Sequence, residues 1–342
     1  MDTKNTDLML IAEISGNHLG SFQRAKQLIA TAKASGATHV KLQTYTPDTL
    51  TLNISTPDFR VTDGHSLWSG RTLYDLYTEA QTPWEWHRDL FEYAHEIGIS
   101  IFSTPFDPTA VELLETLDTP LYKIASLETA DLPLIQLVAS TGKPIIISTG
   151  ATTLEEIDEV VEVVAATGNK NLTLLLCTSA YPTPINGVNL SRLSLLQSRY
   201  GVPVGLSDHT IELEASLGAI ALGANVIERH LTISRADGGA DSAFSLEPHE
   251  MKELSISMAK VKSALGDSIW NVNPLESEAR RFRRSLYISE NVDIGDEINS
   301  NNVRSVRPGN GIAPKYLKDI LGNKFVQKIS AGTALEWTHF EH

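Results

Sequence analysis

The residues of this chain that could do chemistry stand at the ends of short apolar runs. Lysines there could bind an anion, imidazoles could hold a cation, and a carboxylate could move a proton. Because each of them follows a run that would be buried in a folded protein, their positions predict a pocket rather than an exposed surface. The set comprises Glu13, Lys41, Thr104, Lys123, Ser126, Ser148, Asp208, His209 and His230.

Two of these residues are histidines, within the clusters 207–210 (SDHT) and 228–230 (ERH). If the runs before them are neighbouring strands about 4.8 Å apart, His209 and His230 could reach one divalent cation. Two imidazoles would leave coordination positions open for water and substrate, which suits a cation that polarises a carbonyl group. The alternative is that each is a hydrogen-bonded histidine of a pocket, and the spacing does not decide between them.

Lys41 (in VKLQT) and Lys123 (in YKIAS) lie within strongly apolar runs. A buried ammonium group is costly without a counter-charge, so each lysine indicates a polar site. Three interpretations are open: binding of phosphate and carboxylate groups, a Schiff base with a carbonyl substrate, or a side chain that reaches solvent at the rim of the fold. Two lysines beside several hydroxyls favour anion binding, since a phosphate accepts many hydrogen bonds at once.

Two glutamates and one cysteine complete the candidates. Glu13 follows LMLIA, and Glu128 lies just beyond YKIAS. A carboxylate in such a position could act as a base, shuttle a proton or serve as the structural partner of a lysine. Cys177 has no evident partner base and is interpreted as a core residue rather than a nucleophile.

The apolar runs themselves predict the fold. Stretches with helical spacing of apolar residues, such as 21–35, 84–97, 154–166 and 211–222, lie between most of them, which is typical of a parallel strand followed by a return helix. Eight such units close into a (β/α)8 TIM barrel, whose active site lies at the C-terminal ends of the strands. Glycines that could end a helix recur before the next strand, at Gly36, Gly98, Gly142, Gly168, Gly201 and Gly223. The eight runs are LMLIAEI, THVKLQT, ISIFSTPF, LYKIAS, PIIISTG, LTLLLCTSAYP, VPVGLSDHT and NVIERH.

Two segments interrupt this repeat. Residues 45–80 are too many for an ordinary loop and predict a lid or a wall of the substrate pocket. The polar segment 266–281 contains Pro274 and predicts a linker. The expected domains are therefore a barrel (1–265), this linker, and a small β-rich domain (282–342) with strand-like pieces SLYISE, NVRSVRP and FVQKI.

Composition narrows the class of protein. Twenty-eight Lys and Arg against 42 Asp and Glu give a formal net charge of −14, and no basic face is visible, so nucleic-acid binding is not expected. An anionic ligand would need a locally positive pocket, for which Lys41 and Lys123 are the candidates.

No apolar run approaches the roughly 18 residues that span a bilayer, and the N-terminus MDTKNTDLML lacks the pattern of a secretory signal. With a single cysteine, which fits a reducing compartment, we expect a cytoplasmic protein that binds no membrane.

Taken in order, the motifs at the ends of the runs resemble the nonulosonic (sialic) acid synthase family. Within it, LWSGRTLYDLYTEAQTPWEWH (67–87) and TYTPDTLTLN (44–53) resemble the pseudaminate branch more than the N-acetylneuraminate branch. Ser179, where the neuraminate branch often has Asn, agrees with this. The motifs are IAEISGNH, VKLQTYTPD, STPFD, YKIAS, STG, CTSAYPTP, GLSDHT, IERH, RRSLY and VRSVRPG.

The resemblance implies a metal-dependent condensation of phosphoenolpyruvate with an open-chain amino-sugar aldehyde, which in the pseudaminate branch is 2,4-diacetamido-2,4,6-trideoxy-L-altrose. It implies that His209 and His230 bind the metal, Mn²⁺, Mg²⁺ or Co²⁺, and that they and Glu13 are catalytic. The residues implied for phosphoenolpyruvate are Lys41, Thr104, Lys123, Ser126, Ser148 and Ser207. Those implied for the sugar are Gln43, Glu128, Tyr181, Asp241 and Arg307.

The C-terminal part resembles the antifreeze-like (SAF) domain of the same family, in which it covers the barrel mouth of the other subunit. This implies a domain-swapped homodimer with Arg307 of one subunit at the sugar of the other. Three alternatives stay open: the same reaction on N-acetylmannosamine or a legionaminic acid precursor, a Schiff-base pyruvate aldolase, and a non-catalytic sugar- or anion-binding scaffold. A passive scaffold has no need for a carboxylate, lysines and histidines together at strand ends, which argues against the last.

Overall fold

The computed structural model describes residues 8–62, 68–266 and 269–341. Several positions used above lie outside the described residues: 1–7 of the N-terminal segment, Leu67 of the 67–87 motif, 267–268 of the expected linker, and His342. The chain divides into two compact units, Met1–Gly266 and Asp267–His342.

Eight strands form the centre of the N-terminal unit: β1 (Met9–Glu13), β2 (His39–Thr44), β3 (Ser100–Pro105), β4 (Tyr122–Ile124), β5 (Ile145–Ser148), β6 (Leu172–Cys177), β7 (Val204–Ser207) and β8 (Val226–His230). They pair in parallel in chain order and close into a barrel through β8 and β1. Glu13 stands opposite Lys41 on one side and His230 on the other. The expected (β/α)8 TIM barrel is confirmed.

Helices follow most of the strands: α1 (Phe22–Ala34), α2 (Pro47–Leu50), α3 (Leu73–Ala80), α4 (Trp84–Ile97), α5 (Pro108–Glu115), α6 (Leu132–Ser140), α7 (Leu154–Ala166), α8 (Arg192–Tyr200), α9 (Glu214–Ala221) and α10 (Pro248–Leu265). Local sequence explains their ends. A reciprocal capping box between Thr153 and Glu156 begins α7, and Gly98, at φ 74°, ends α4. All six glycines predicted at helix ends have positive φ. Among the described residues, none of the helices is long and apolar enough to cross a membrane.

The last of the predicted helices begins later than expected, because α9 starts at Glu214 rather than at residue 211. The carbonyl oxygen of Glu212 accepts hydrogen bonds from the Thr210 hydroxyl and the Arg229 guanidinium. These bonds hold the preceding residues outside the helix.

The side chains inside the barrel change from apolar to polar toward the C-terminal ends of the strands. An apolar layer is formed by Ile11, Phe102, Leu121, Ile146, Leu175 and Val226, which pack together as one cluster. Since alternate residues of a strand share a face, the residue two positions later points the same way, nearer the C-terminal end. In each of these six cases that next residue is polar or a thiol: Glu13, Thr104, Lys123, Ser148, Cys177 and Glu228.

The segment 45–80 is not an unstructured loop. It contains α2 and α3, and the Thr72 side chain caps α3 by accepting a hydrogen bond from the Asp75 backbone N–H. Two indole hydrogen bonds attach it to the rest of the unit: Trp68 Nε1 donates to the Ala240 carbonyl (3.0 Å), and Trp84 Nε1, at the start of α4, donates to the Tyr45 carbonyl (3.1 Å).

The C-terminal unit is small and has its own apolar core, which includes Leu286, Val303 and Phe325. Its elements are α11 (Ser277–Arg280), β9 (Ser285–Ile288), β10 (Val303–Val306) and α12 (Leu317–Ile320), with β9 and β10 antiparallel. The prediction of a strand in FVQKI (325–329) is wrong. Phe325 and Ile329 make only isolated bridges, because their partners, Phe340 and Val292, lie in separate segments. The segment predicted as a linker contains α11, directly after a 3-10 turn at Pro274–Glu276.

Candidate active site

A cavity of about 340 Å³ lies at the C-terminal ends of the barrel strands. The predicted site residues that line it are Lys41, Gln43, Lys123, Ser126, Glu128, Ser148, Tyr181, Ser207, His209, His230 and Asp241. Glu13 and Thr104 are fully buried beside it and contact Lys41: Glu13 through an ion pair, and Thr104 by accepting a hydrogen bond at 3.2 Å. Arg307 belongs to the C-terminal unit and directly follows β10.

Two lysines and two glutamates form a buried charge cluster in this cavity. Lys41 is ion-paired to Glu13, and its Nζ lies 3.7 Å from Glu228 Oε1. Lys123 Nζ lies 3.7 Å from the same oxygen of Glu228. The four side chains are 0–5 % exposed. Neither lysine therefore reaches solvent at the rim, and that interpretation is wrong.

The two ammonium groups differ in their electrostatic surroundings. Burial opposes the charge of Lys41, but the attraction of Glu13 and Glu228 outweighs it and raises the pKa of Lys41. Burial also opposes the charge of Lys123, and here the attraction of Glu228 does not compensate, so the pKa of Lys123 is lowered. Glu228 is itself buried, but the nearby Lys123 and Lys41 lower its pKa to about 2. Lys123 is thus the cation that would gain most from an incoming anion.

The side chains of the cavity do not by themselves make the locally positive pocket that the sequence predicts. Glu13 and Glu228 offset the charges of Lys41 and Lys123, and Asp241 adds a further carboxylate to the lining. A strongly anionic ligand would therefore need an additional cation in the cavity.

Three serine hydroxyls lie within the lining. Ser207 Oγ donates to Glu228 Oε1 at 3.2 Å, and Ser126 Oγ accepts from the Gly150 backbone N–H at 3.0 Å. A Cβ at Gly150 would lie 2.7 Å from Ser126 Oγ, so the close approach requires glycine at this position. Ser148 Oγ is buried and has no hydrogen-bond partner among the described residues. A buried, unpartnered hydroxyl at a cavity wall is a ready donor for a ligand.

The two histidines do come together. The ring centroids of His209 and His230 are 5.4 Å apart, at the ends of β7 and β8. His209 Nδ1 lies 3.2 Å from the Thr178 carbonyl oxygen, which fixes the N–H on Nδ1 and leaves Nε2 as the basic nitrogen. His230 Nδ1 lies 3.3 Å from Asp241 Oδ2 and has no hydrogen-bond partner within the part of the chain that the structure describes.

These residues fit an open divalent-cation site. Two imidazoles are suitable donors, and His230 Nδ1 is an orphaned buried polar atom that a cation would satisfy. A cation here would also supply the positive charge that the lysine–glutamate cluster lacks. Among residues 8–62, 68–266 and 269–341, no group of three or more His, Cys, Asp or Glu side chains is arranged to enclose a metal ion. Two imidazoles by themselves would leave coordination positions of a cation free for water or substrate.

Cys177 departs from its expected position. It is buried, but it lines the cavity, and its Sγ lies 3.9 Å from His209 Nδ1. Burial opposes the thiolate, yet the contact with His209 lowers the pKa of Cys177. Cys177 therefore lies at the wall of the cavity, and the nitrogen that faces it, the protonated Nδ1 of His209, is a donor and not a base, so the cysteine keeps its interpretation as a buried residue that is not a nucleophile. Its position follows from the strand register: Cys177 pairs with Ser207, which brings β6 and β7 side chains to the same level.

Asp208 was expected among the residues that carry chemistry, and the structure corrects this. Its carboxylate points away from the cavity, where Oδ2 pairs with Arg229 (2.6 Å) and accepts from the Ser216 hydroxyl (2.5 Å). Both Asp208 and Arg229 have fully buried side chains. Successive residues of a strand point to opposite faces, and Asp208 and Arg229 each stand next to residues that face the barrel interior. Their side chains therefore lie on the outer face of the strands, where they form a buried structural ion pair.

Four of the residues predicted for a sugar, all in the N-terminal unit, line the cavity together with the charged cluster: Gln43, Glu128, Tyr181 and Asp241. Tyr181 packs against His209, with ring centroids 4.5 Å apart, and Asp241 adjoins His230. Glu128 Oε2 is buried and has no hydrogen-bond partner among the described residues, and burial raises the pKa of Glu128 to about 7. A carboxyl group in this state can donate as well as accept a hydrogen bond.

Comparisons with known proteins give the family of this chain. The model of the NeuB family matches residues 28–270, and the model of the SAF domain matches residues 283–341. The chain belongs to the NeuB family. It is 42% identical to a pseudaminic acid synthase of Campylobacter jejuni over 338 residues, 98% of each chain. It is 34% identical to an N,N'-diacetyllegionaminic acid synthase of Legionella pneumophila, over 97% of this chain and 94% of that protein.

A crystal structure from Leptospira borgpetersenii, of an N-acetylneuraminic acid (sialic acid) synthetase in complex with citrate, is similar with a TM-score of 0.72 and 28% identity. The similarity covers 80% of this chain and 90% of that one. Membership of the NeuB family confirms the resemblance to nonulosonic acid synthases, and the chain is therefore an enzyme of this type. The SAF match confirms the expected class of the C-terminal domain.

One residue of this NeuB-family site was missed by the sequence analysis. Glu228 lies between both lysines and accepts from Ser207, yet it was considered only as part of the ERH cluster. The alternation of side chains along a strand could have identified Glu228. It lies two residues before His230 in β8, so both side chains face the interior of the barrel.

Proposed function

We propose that this enzyme condenses phosphoenolpyruvate with 2,4-diacetamido-2,4,6-trideoxy-L-altrose, as the open-chain aldehyde, to give pseudaminic acid and phosphate. The observation that carries the choice of sugar is the 42% identity to a pseudaminic acid synthase along nearly the whole of both chains. The relative named for legionaminic acid is 34% identical, which supports a common type of reaction and a different sugar.

Phosphoenolpyruvate would bind at the lysine cluster. Lys41 and Lys123 are suited to its phosphate and carboxylate groups, and the unpartnered Ser148 hydroxyl can donate a further hydrogen bond. Ser126 and Ser207 line the same region. Binding would also supply Lys123 with the counter-charge that it lacks, because burial lowers the pKa of this lysine in the unliganded enzyme.

The proposed reaction forms one carbon–carbon bond and one carbon–oxygen bond to water, and it breaks the carbon–oxygen bond to phosphate. Carbon 3 of phosphoenolpyruvate attacks the aldehyde carbon, whose oxygen takes up a proton, and positive charge develops at carbon 2. Water adds at carbon 2 and loses one proton, and the tetrahedral adduct then expels phosphate while its new hydroxyl group loses the second proton, which leaves a ketone. A divalent cation such as Mn²⁺, Mg²⁺ or Co²⁺, held by His209 and His230, would supply Lewis-acid polarisation of the aldehyde oxygen.

Glu13 is our candidate for the group that assists at carbon 2. It is fully buried, ion-paired to Lys41 and opposite His230 across β1 and β8. Its carboxylate could stabilise the developing positive charge or take the proton of the added water. Stabilisation of this kind is often the largest single contribution to catalysis.

The proposal is tested by measuring phosphate release and sugar consumption by the purified enzyme with Mn²⁺ and phosphoenolpyruvate. The panel of sugars contains the trideoxy altrose, N-acetylmannosamine and the legionaminic acid precursor, each at several concentrations. We expect the trideoxy altrose to have the highest kcat/KM. Turnover of N-acetylmannosamine or of the legionaminic precursor alone would refute the choice of sugar and leave the reaction type standing.

The domain-swapped homodimer stays a prediction from the resemblance. Light scattering coupled to size exclusion measures the oligomeric state. Arg307→Ala should raise the KM for the sugar far more than that for phosphoenolpyruvate, and equal effects on both would mean that Arg307 does not contact the sugar.

A further inference from the structure

One side of the active-site cavity is apolar, and it is made largely by one segment. The side chains from residues 45–80 that line the cavity are Tyr45, Leu50, Val61, Trp68, Leu73, Leu76, Tyr77 and Ala80. We call the aliphatic part of this set, Leu50, Val61, Leu73, Leu76 and Ala80, the aliphatic wall. The strand ends contribute charged and hydroxyl side chains to the cavity lining, whereas the segment after β2 contributes mainly aliphatic and aromatic side chains.

The segment that carries the aliphatic wall is held in place by the packing of its aromatic residues. The Tyr45 ring lies 5.8 Å from that of Tyr77 and 5.3 Å from that of Phe106, both in edge-to-face geometry. The ring of Trp68 lies 5.7 Å from that of Tyr181, which in turn packs against His209. The segment therefore packs both against Phe106, after β3, and against the aromatic residues around the imidazoles.

The chemistry of the reaction sets the direction of the sugar in this cavity. Its aldehyde carbon must approach phosphoenolpyruvate beside the lysines and histidines, so carbon 6 lies at the opposite end of the open chain. The oxygen and nitrogen atoms between these ends can meet polar groups such as Gln43, Glu128 and Asp241, which line the cavity. Carbon 6 is then directed beyond the strand ends, where the 45–80 segment lies.

We propose that the aliphatic wall is the specificity element of this enzyme, with Leu73 and Leu76 receiving the methyl group at carbon 6 and excluding a sugar with a hydroxyl there. This inference rests on the proposed function, because the direction of the sugar follows from the condensation. A methyl group packs against leucine side chains at no cost in hydrogen bonds. A hydroxyl in the same position gives up its hydrogen bonds to water without replacement. Apolar pockets discriminate against an added hydroxyl by about 10²-fold.

The test uses two sugars that differ only at carbon 6: 2,4-diacetamido-2,4,6-trideoxy-L-altrose and its 6-hydroxy counterpart. For each enzyme, kcat/KM is measured with both sugars, and the ratio is the readout. Leu76→Asn places a nearly isosteric amide in the wall, and Leu73→Asn does so at a half-buried position. The matched control is Leu52→Asn, since Leu52 lies in the same segment, is 59% exposed and is not part of the lining.

We expect the wild-type enzyme to prefer the deoxy sugar by about 10²-fold. Leu76→Asn and Leu73→Asn should each reduce this ratio at least tenfold while leaving the KM for phosphoenolpyruvate unchanged, and Leu52→Asn should keep the wild-type ratio. If Leu76→Asn fails to fold, as judged by circular dichroism, Leu73→Asn decides the matter. Unchanged ratios in the folded wall variants, or equal use of both sugars by the wild type, would overturn the inference but not the proposed function. A wild type that turns over neither altrose sugar would instead overturn the proposed function.

Discussion

Replacing Lys41 and Lys123 with methionine, one at a time, should separate their roles in stability from their roles in binding. Lys41→Met leaves Glu13 fully buried without its ion-pair partner, and breaking a buried pair in this way costs about 3–5 kcal/mol. Lys123→Met leaves Glu228 with Lys41 at 3.7 Å, a Coulomb attraction of about 4.5 kcal/mol at an effective dielectric constant of about 20. Because Glu228 keeps a cation, Lys123→Met should cost less than about 2 kcal/mol of unfolding free energy.

Binding of phosphoenolpyruvate should be weakened in both variants. Each loses one charge-assisted hydrogen bond to the ligand, worth about 1.5–3 kcal/mol, or roughly a 10- to 150-fold rise in Kd. Urea unfolding of the unliganded proteins measures the first effect, and calorimetric titration with phosphoenolpyruvate in the presence of Mn²⁺ measures the second. Equal stability of the two variants would refute the assignment of Lys41 as the partner of Glu13. An unchanged Kd in Lys123→Met would refute the lysine cluster as the anion site.

Further predictions concern protonation, stability, covalent chemistry and the cation. Burial raises the pKa of Glu128 from 4.5 to about 7, so between these values the folded protein holds a proton that the unfolded chain releases, and the free energy of unfolding falls as pH rises. Glu128→Gln should flatten this dependence in urea unfolding at pH 5 and pH 7, and a slope like that of the wild type would contradict it. Arg229→Met leaves Asp208 buried without its cation and should cost about 3–5 kcal/mol in the same assay, whereas a loss below about 1 kcal/mol would show that the pair is dispensable. Borohydride treatment with pyruvate should leave the mass of the protein unchanged, and a reduced pyruvate adduct would favour the Schiff-base aldolase instead. His209→Ala and His230→Ala should each abolish Mn²⁺ retention in equilibrium dialysis, and retention in both would remove the two-imidazole site.

The barrel and its catalytic end could be predicted from the sequence because both follow from simple periodicities. Helical spacing between apolar runs indicated the strand–helix repeat, and glycines such as Gly98 marked helix ends. Within a strand, the alternation of side chains determines which residues face the interior. The step from Leu121 to Lys123, or from Ile146 to Ser148, is a change from core to cavity along one face.

The errors arose where this alternation was not applied. Asp208 stands between Ser207 and His209, so it faces outward and pairs with Arg229 instead of entering the cavity. Glu228 shares the face of His230 and was missed. The position of Cys177 beside His209 depends on the register between β6 and β7, and strand register between distant segments is not encoded in any local pattern.

The aliphatic wall shows a different limit. Length and composition indicated that residues 45–80 form a lid or a wall, but not which of its side chains line the cavity. Which side chains line the cavity depends on the positions of α3 and of Trp68. The Trp68 indole donates a hydrogen bond to the carbonyl oxygen of Ala240, which is far from it in the sequence. Contacts of such long range follow from the folded barrel and not from local spacing.

The most direct test of the proposed condensation follows the oxygen that bridges carbon 2 and phosphorus in phosphoenolpyruvate. The purified enzyme is given Mn²⁺, the trideoxy altrose and phosphoenolpyruvate labelled with ¹⁸O at this bridging position, and both products are analysed by mass spectrometry. Addition of water at carbon 2 followed by loss of phosphate predicts that the label leaves entirely with phosphate and that the sugar acid is unlabelled. Label retained in the sugar acid would mean that the phosphorus–oxygen bond breaks, which contradicts the account.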